Sequence, residues 1–454
     1  MRIRAEQLLL EDGWARDCLV TIGDHGRITA IAPAGDDEVA DRTVPVLQPA
    51  LSNLHSHTFQ RAMAGLTETR GPEGRDSFWT WRVLMYRFLD VLTPDEIEAI
   101  AAFAFMEMLE AGFGAVAEFH YLHHAPNGAP YDDLGELSAR IAAAAAQTGI
   151  GLTLLPVHYR TGGLDGRPLA GGQQRFGNDV DRFLALVERT KQIVGSLPAD
   201  TRLGLAPHSL RAAPTDDIRV LAAALPDGPL HMHAAEQEAE IAEVLASTGR
   251  RSIEWLLENF EIDERWCLIH ATHMTQGETE ALARSGAVAG LCPVTEANLG
   301  DGIFEGVAFL EAGGSFGIGS DSNIRISAAE ELRQLEYSQR LKHRGRAMLA
   351  EPGGSVGRRL YNGALEGGAR ALGREAGAIR VGAFADLVAL DPPRFAGSGK
   401  GDGILDGWIF TGGRDAVTDA WSAGRHVVRE GQHIDAEALT RRYRTVLAKI
   451  MGRL

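Results

Sequence analysis

Two histidines early in the chain are separated by a single residue, and their spacing suits a metal ion. Residues 53–61 read NLHSHTFQR, with His55 and His57 on either side of one serine. The preceding run, VPVLQPALS, has the apolar character of a strand. Residues i and i+2 of a strand point the same way about 6.6 Å apart, because each residue rises about 3.3 Å. Two imidazoles at that distance can lean onto one ion, with Zn–N bonds of about 2.0–2.1 Å.

A His-x-His pair alone is weak evidence, because short motif matches also arise by chance in a chain with 15 histidines. Apolar runs alternate with helical patterns along the middle of the chain, at residues 49–55, 115–120, 151–158, 202–208, 228–233, 265–270, 287–293 and 315–321. Such near-continuous runs are typical of parallel strands buried on both faces. The eight strand-then-helix units predict an α/β fold of the (β/α)8 TIM-barrel type. A doubly wound open sheet is the alternative, but no Gly-rich phosphate fingerprint follows the first strand.

The segment before the second predicted strand shows how one unit begins and ends. Thr93 suits the N-cap of a helix, Pro94 suits its first position, and acids fill the first turn. Gly112 suits the exit from that helix. We therefore expect one helix between these residues and a strand directly after it.

Both ends of the chain have a different pattern, in which strands of alternating apolar and polar residues are separated by glycines. This pattern covers residues 1–48 and recurs within residues 376–454, which end in a helical segment. We predict a small β-sandwich domain built from both termini, 1–48 and 376–454, with the barrel inserted as residues 49–375.

Composition excludes several classes of partner. The net charge of −16 argues against nucleic acid or an anionic membrane surface as the main partner. No stretch reaches the roughly 18 apolar residues that a membrane span needs. The three cysteines are widely spaced without a CxxC pair, so we expect no disulfide framework and a reducing cytoplasmic location. The first residues have no secretory signal pattern, which agrees with that expectation.

Polar residues end several of the predicted strands, and they are His55, His57, His208, His231, His233, His270 and Asp321. In a barrel of this type, functional groups lie at the C-terminal ends of the strands, so we expect all of them on one face. His233 and Asp321 could complete a ligand set with the first two histidines. Such a set leaves an open position for water, as a catalytic zinc site requires.

The same residues carry a resemblance to the amidohydrolase superfamily, in the strings NLHSH, HMHAAE, HATH and GIGSD and in the tail GAIRVGAFADLVALD. Longer strings resemble one family within it, the bacterial formimidoylglutamate deiminases of histidine degradation, and these include HSHTFQRAMAGL, DSFWTWRVLMYR, AVAEFHYLHH and SGAVAGLCPVTEANLGDGIF. The resemblance covers nearly the whole chain. Ala50 and Asn323 depart from it, since many relatives have Gly at the first position and some have His at the second.

The resemblance implies one divalent metal, held by His55, His57, His233 and Asp321. Zn²⁺ is the expected ion and Fe²⁺ the alternative, because three imidazoles and a carboxylate suit both. The binuclear members use a modified lysine near the fourth strand, and RLGLAPHSLRA contains no lysine. The metal would lower the pKa of water toward 7.

The resemblance also implies a hydrolytic deamination of N-formimino-L-glutamate to N-formyl-L-glutamate and ammonia. Glu236 would protonate the imine nitrogen, and His270 would polarise the attacking water together with Asp321. By itself, Glu236 would be read as an ordinary acid at a helix N-terminus. The substrate is a dicarboxylate, and its binding residues would be Gln60, Arg82, Tyr121, His208 and Arg211, of which the two arginines suit carboxylates.

Two other functions fit part of the sequence. A guanine or other purine deaminase would have the same metal set, but its pocket would need aromatic and amide groups rather than two arginines. A non-enzymatic metal-dependent scaffold would have no use for Glu236. We expect a homodimer.

Overall fold

The computed structural model describes residues 1–35, 38–70, 78–395 and 399–454. Its strands are β1 (Arg2–Leu10), β2 (Gly13–Ile22), β3 (Ile28–Pro33), β4 (Arg42–Pro49), β5 (Leu51–Ser56), β6 (Phe113–His120), β7 (Gly151–His158), β8 (Arg202–Leu203), β9 (Ala206–Pro207), β10 (Leu230–Ala234), β11 (Trp266–His270), β12 (Val288–Leu291), β13 (Ser315–Ile318), β14 (Leu387–Leu390), β15 (Val417–Ser422), β16 (Arg425–Arg429) and β17 (Gln432–His433).

The helices are α1 (Phe78–Leu89), α2 (Pro94–Glu110), α3 (Glu136–Thr148), α4 (Val180–Val194), α5 (Thr215–Ala224), α6 (Glu238–Thr248), α7 (Ser252–Asn259), α8 (Gln276–Ser285), α9 (Pro293–Leu299), α10 (Gly306–Glu311), α11 (Ala328–His343), α12 (Val356–Ala371), α13 (Gly403–Phe410) and α14 (Ala436–Met451). Short 3-10 helices lie at Thr58–Met63, Gly171–Arg175, Pro392–Arg394 and Arg414–Ala416. Among the described residues, no helix combines the length and apolar character that crossing a bilayer requires.

Parallel strands in the middle of the chain form one curved sheet. Its order is β10-β11-β12-β13-β5-β6-β7-β8, and β9 pairs with β7. A parallel bridge between Leu205 and Leu230 connects the two ends of the sheet. β6 and β7 are buried along their whole length, as strands covered on both faces must be. The predicted TIM-barrel fold is confirmed, with a strand at each of the predicted positions.

The fourth predicted strand is broken in two. Residues 202–208 form β8 and β9, separated by Gly204 and Leu205. A Cβ atom at Gly204 would lie 2.7 Å from the Pro229 carbonyl oxygen, so this position is too crowded for a side chain. The main chain remains in the barrel wall, because the His231 N–H donates to the Leu205 carbonyl at 3.0 Å. A continuous strand over 202–208 was therefore a wrong prediction.

Both termini contribute to a second sheet, of order β17-β16-β15-β14-β4-β1-β2-β3. β1 and β4 pair in parallel, and β4 pairs with β14 antiparallel. This sheet has its own apolar core, which includes Ile3, Val20 and Trp421. The predicted separate β unit from both ends of the chain is confirmed. The predicted boundaries at 48/49 and 375/376 stay predictions.

The helix predicted from Thr93 is α2, and its first turn follows the capping-box pattern. The Thr93 N–H donates to Glu96 Oε2 at 3.0 Å, and Pro94 takes the first helical position. After the helix, Gly112 has φ +99, and a Cβ there would lie 3.1 Å from the Trp408 ring. Left-handed backbone and close packing both favour glycine at this exit.

A fully buried arginine ties the barrel to the terminal sheet. Arg374 Nη2 donates to Asp386 Oδ2 at 2.9 Å, next to β14, and Arg374 Nη1 donates to Asp200 Oδ2 at 3.3 Å, ahead of β8. Arg425 of β16 reaches the same Asp200 oxygen at 2.7 Å. Burial raises the pKa of Asp200, but Arg425 and Arg374 outweigh that effect and lower it. These ion pairs replace solvent for each of the buried charges.

Candidate active site

The C-terminal ends of β5, β10 and β13 bring three imidazoles and one carboxylate together. The Nε2 atoms of His55 and His57 lie 3.1 Å apart, and His233 Nε2 lies 3.1 Å from His55 Nε2. Asp321 Oδ1 lies 3.4 Å from His55 Nε2 and 3.3 Å from His57 Nε2. The edge of a tetrahedron with bonds of about 2.0–2.1 Å measures about 3.3–3.4 Å, so these spacings suit one ion.

The hydrogen bonds of the rings show which nitrogens are free to bind a cation. His57 Nδ1 and His233 Nδ1 each lie 3.1 Å from a main-chain carbonyl, of Phe119 and His208 respectively. A carbonyl only accepts, so each Nδ1 carries the proton and each Nε2 presents a lone pair. Burial lowers the pKa values of His57 and His233, and it lowers the pKa of His55 to about 3. All three rings are therefore favoured in the neutral form. Converging lone pairs and a carboxylate fit a divalent metal.

The main chain between β5 and β13 fixes these ligands. The Asp321 N–H donates to the His55 carbonyl, and the His57 N–H donates to the Asp321 carbonyl, both at 2.9 Å. Asn323 is fully buried, its Nδ2 donates to Ser56 Oγ at 3.1 Å, and its Oδ1 accepts from Ser320 Oγ at 2.6 Å. Asparagine at this departure from the family pattern therefore joins the ends of β5 and β13, two of the strands that carry ligands.

Backbone strain is concentrated at the strand ends of the site. Positive φ values occur at Ala235 (+53), His270 (+71), Ala271 (+48), Asp321 (+43) and Asn323 (+54). Non-glycine residues in this region cost about 1–3 kcal/mol each, and they persist where surrounding contacts hold them. The effect is to turn the side chains at the strand ends toward one centre.

Glu236 and His270 lie on the other side of Asp321. His270 Nε2 is 3.8 Å from Glu236 Oε1 and 3.9 Å from Asp321 Oδ2. Burial raises the pKa of Glu236, although His270 and Arg211 oppose that effect. Burial opposes the charge of His270, but Glu236, Glu296 and Asp321 outweigh it and raise its pKa to about 10. The arrangement can therefore hold and transfer a proton close to the metal ligands.

A cavity of about 60 Å³ lies above these groups. Of the residues predicted to bind metal, to catalyse or to bind substrate, all but His55 line this cavity, and they are His57, Gln60, Arg82, Tyr121, His208, Arg211, His233, Glu236, His270 and Asp321. Trp81, Met85 and Phe176 give it apolar walls. Gln60 Nε2 donates to Tyr121 Oη at 2.9 Å, so these two polar side chains are oriented together.

The two arginines differ in their surroundings. Arg211 is only 7% exposed, so it is no surface charge. Burial opposes its charge, but Glu240, Tyr159 and Glu236 outweigh that and raise its pKa. Arg82 is half-buried on α1, and its Nη2 donates to Tyr159 Oη at 3.2 Å. Two cations thus face a cavity that also holds the reacting groups.

Several histidines lie outside the cavity. His231 was predicted at the site face, but its Nε2 donates to the Ala371 carbonyl at 2.7 Å, deeper in the barrel, so that prediction was wrong. His123 Nε2 donates to the Val157 carbonyl at 2.9 Å, and His158 Nε2 lies 2.8 Å from Asp217 Oδ2. These rings support the structure of the barrel.

Sequence reasoning assigned no role to two buried acids next to the site. Glu118 Oε1 accepts from the Thr58 N–H at 2.8 Å, which holds the turn after His57, and burial raises the pKa of Glu118 to about 7. Glu296 Oε1 lies 3.3 Å from His270 Nδ1. The available signal for Glu296 was its place just after a strand end, in the first turn of a helix.

Comparisons with known proteins agree with this geometry. Residues 46–427 match the amidohydrolase family. The formimidoylglutamate deiminase of Pseudomonas aeruginosa is 49% identical over 452 residues, which cover 99% of each chain. The 5-methylthioadenosine/S-adenosylhomocysteine deaminase of Natronomonas pharaonis is 27% identical over 81% of this chain and 78% of that protein. The crystal structure of an amidohydrolase from Brucella melitensis superposes with a TM-score of 0.95 and 48% identity over 99% of both chains.

Proposed function

The chain belongs to the amidohydrolase family, and from that premise we propose that it hydrolyses N-formimino-L-glutamate to N-formyl-L-glutamate and ammonia. One observation carries the substrate assignment: two arginines, one of them buried, face the cavity that contains the metal ligands and Glu236. The 49% identity to a formimidoylglutamate deiminase supports the same reaction. Deaminases of other names match at 27% identity, which leaves a purine deaminase as the weaker alternative.

The metal is assigned to His55, His57, His233 and Asp321, whose donor atoms converge within hydrogen-bond distance of one another or slightly beyond. Zn²⁺ suits this set, and Fe²⁺ is the alternative ion. A divalent metal there supplies a Lewis acid and lowers the pKa of water toward 7. We assign one ion per chain, since the segment around β8 and β9 contains no lysine to bridge a second.

The chain's own residues supply the proton transfers. Water adds to the amidine carbon, the bond from that carbon to the terminal nitrogen breaks, and the nitrogen leaves as ammonia. Glu236 is assigned the donation of a proton to that nitrogen, because burial raises its pKa and its carboxyl group lines the cavity. His270 and Asp321 are assigned the polarisation of the attacking water, from 3.9 Å apart.

Recognition of the two carboxylates is assigned to the arginines. Arg211 and Arg82 can each form charge-assisted hydrogen bonds to a carboxylate, which are about twice as strong as neutral ones. Gln60, Tyr121 and His208 offer the remaining polar contacts to the glutamate part of the substrate. A flat purine ring carries no carboxylate for either guanidinium group to bind.

The deciding experiment measures ammonia release by the purified enzyme from N-formimino-L-glutamate, with guanine and cytosine in parallel. Turnover of the formimino compound alone supports the proposal. Turnover of guanine with no ammonia from the formimino compound would overturn it in favour of a purine deaminase.

We further propose a homodimer in the cytoplasm that binds no nucleic acid. The net charge of −16 supports the last point, because phosphate backbones repel an acidic surface. Light scattering of the purified enzyme tests the dimer, and a mass of one chain would contradict it.

A further inference from the structure

An acid that follows strand β12 contacts His270. Glu296 lies in the first turn of α9 and is only 5% exposed. Its Oε1 accepts from the Cys292 N–H at 2.9 Å and lies 3.3 Å from His270 Nδ1. An ionised carboxylate only accepts hydrogen bonds, so the proton between Glu296 and His270 is on Nδ1.

We propose that Glu296 is a positioning residue for His270, which it orients for the reaction. With Nδ1 held by Glu296, the opposite nitrogen lies 3.8 Å from Glu236 Oε1 and 3.9 Å from Asp321 Oδ2. Glu296 itself is not among the described residues that line the cavity, so it acts through His270 and not on the substrate. The inference rests on the proposed function, because it concerns how His270 takes part in that hydrolysis.

His270 needs such an anchor, because its ring can turn over about the bond to Cβ. The two orientations place different edges of the imidazole toward the cavity, and the ring nitrogens have distinct roles in them. His270 has φ +71, and its ring stacks on that of His233 with centroids 5.6 Å apart and planes 12° apart. Stacking fixes the plane of the ring but leaves the flip open. The bond to Glu296 selects one orientation.

The anchor is itself rigid. The Glu296 N–H donates to the Cys292 carbonyl at 2.9 Å, while its carboxylate accepts from the Cys292 N–H, so both ends of the residue are tied to the end of β12. Helix α11 also holds this turn, because Glu331 Oε2 accepts from the Val294 N–H at 2.9 Å. The end of β12 thereby contributes to the site through the contact between Glu296 and His270.

A double-mutant cycle on the metal-loaded enzyme tests the proposal. The variants are Glu296→Gln, His270→Asn and the pair together, with kcat, KM and metal content measured for each. Removing the partner that orients a metal-binding histidine typically lowers metal affinity or activity roughly 10–100-fold. For Glu296→Gln we expect a fall of that size in kcat with little change in KM. In the His270→Asn background the same substitution should have no further effect, because residues that act as one unit are not additive. Glu296→Asp should recover part of the lost turnover.

Glu331→Gln is the matched control, since Glu331 is a buried acid that holds the same helix turn. It should keep the kcat of the parent. If Glu296→Gln lowers kcat by the same factor in the parent and in His270→Asn, the proposal is overturned and Glu296 has a purely structural role. Unchanged kcat in Glu296→Gln would overturn it as well.

A measurement without turnover separates this proposal from the proposed function. Proton NMR of the parent should contain a downfield Nδ1–H resonance that disappears in His270→Asn and shifts upfield in Glu296→Gln. If that resonance is missing in the parent or unmoved in Glu296→Gln, Glu296 does not hold the ring. If the parent releases no ammonia from N-formimino-L-glutamate while the resonance behaves as expected, the proposed substrate is wrong and the orienting contact stands.

Discussion

Replacing Arg211 by methionine is the most direct test of the carboxylate clamp, the proposed binding of the two substrate carboxylates by Arg211 and Arg82. Arg211 is the better choice because this cation is buried beside the reacting groups. Methionine keeps much of the apolar stem and removes the guanidinium. The side chain is 7% exposed, so solvent can do little to replace a lost contact. One charge-assisted hydrogen bond contributes about 1.5–3 kcal/mol. At about 1.4 kcal/mol per decade, kcat/KM for N-formimino-L-glutamate should fall about 10–150-fold.

The assay compares two forms of the substrate. Formimino-glutamate carries both carboxylates, while its amide forms replace one carboxylate with a neutral group of similar shape. Arg211→Met should lose far more activity on the acid than on the matching amide, because only the acid loses an ion pair. Arg82→Met should behave in the same way to a lesser degree, since Arg82 is half-buried and water screens its charge.

Arg160→Met is the matched control for both variants. Arg160 lies close to the same loops, but it pairs with Asp217 at 2.9 Å and its side chain is 46% exposed. Its loss should leave kcat/KM unchanged. Equal losses on the acid and amide forms for Arg211→Met would refute the clamp, and the substrate assignment would then rest on similarity to relatives.

Three further predictions follow from the site and the fold. Glu236→Gln should keep metal and fold but lose about 10²–10⁴-fold in kcat, because an amide cannot donate the proton; turnover near the parental value at equal metal content removes Glu236 from the mechanism. A chelator should remove one divalent ion per chain together with activity, and Zn²⁺ should restore both; elemental analysis that finds two tightly bound ions in active enzyme contradicts the single-metal assignment. Arg374→Met should lower the free energy of unfolding by about 3–5 kcal/mol in urea titrations, because it leaves Asp200 and Asp386 as buried charges with fewer partners; a loss below about 1 kcal/mol would show that Arg425 and solvent suffice.

Local patterns in the sequence were sufficient for the barrel. Each strand is a short apolar run that must be buried on both faces, and Thr93 with Glu96 caps the helix that precedes one of them. Because the C-terminal ends of such strands meet on one face, the convergence of His55, His57, His233 and Asp321 followed from the order of elements alone.

Contacts between distant segments could not be read in the same way. The break at Gly204 depends on the Pro229 carbonyl, and the orientation of His231 depends on the Ala371 carbonyl, 140 residues away. Glu296 has the sequence appearance of an ordinary acid in the first turn of a helix. Only the position of β12 next to β11 brings it to His270.

Glu236 and Asp321 both lie near His270 Nε2, and their surroundings shift their pKa values in opposite directions. Burial raises the pKa of Glu236. Burial acts on Asp321 as well, but His55, His57 and His270 outweigh it and hold its pKa below the ordinary value. A pair of acids separated in this way divides the work at neutral pH, with one proton donor and one anion. Asp321 is therefore the anion suited to a metal and Glu236 the acid suited to the leaving nitrogen.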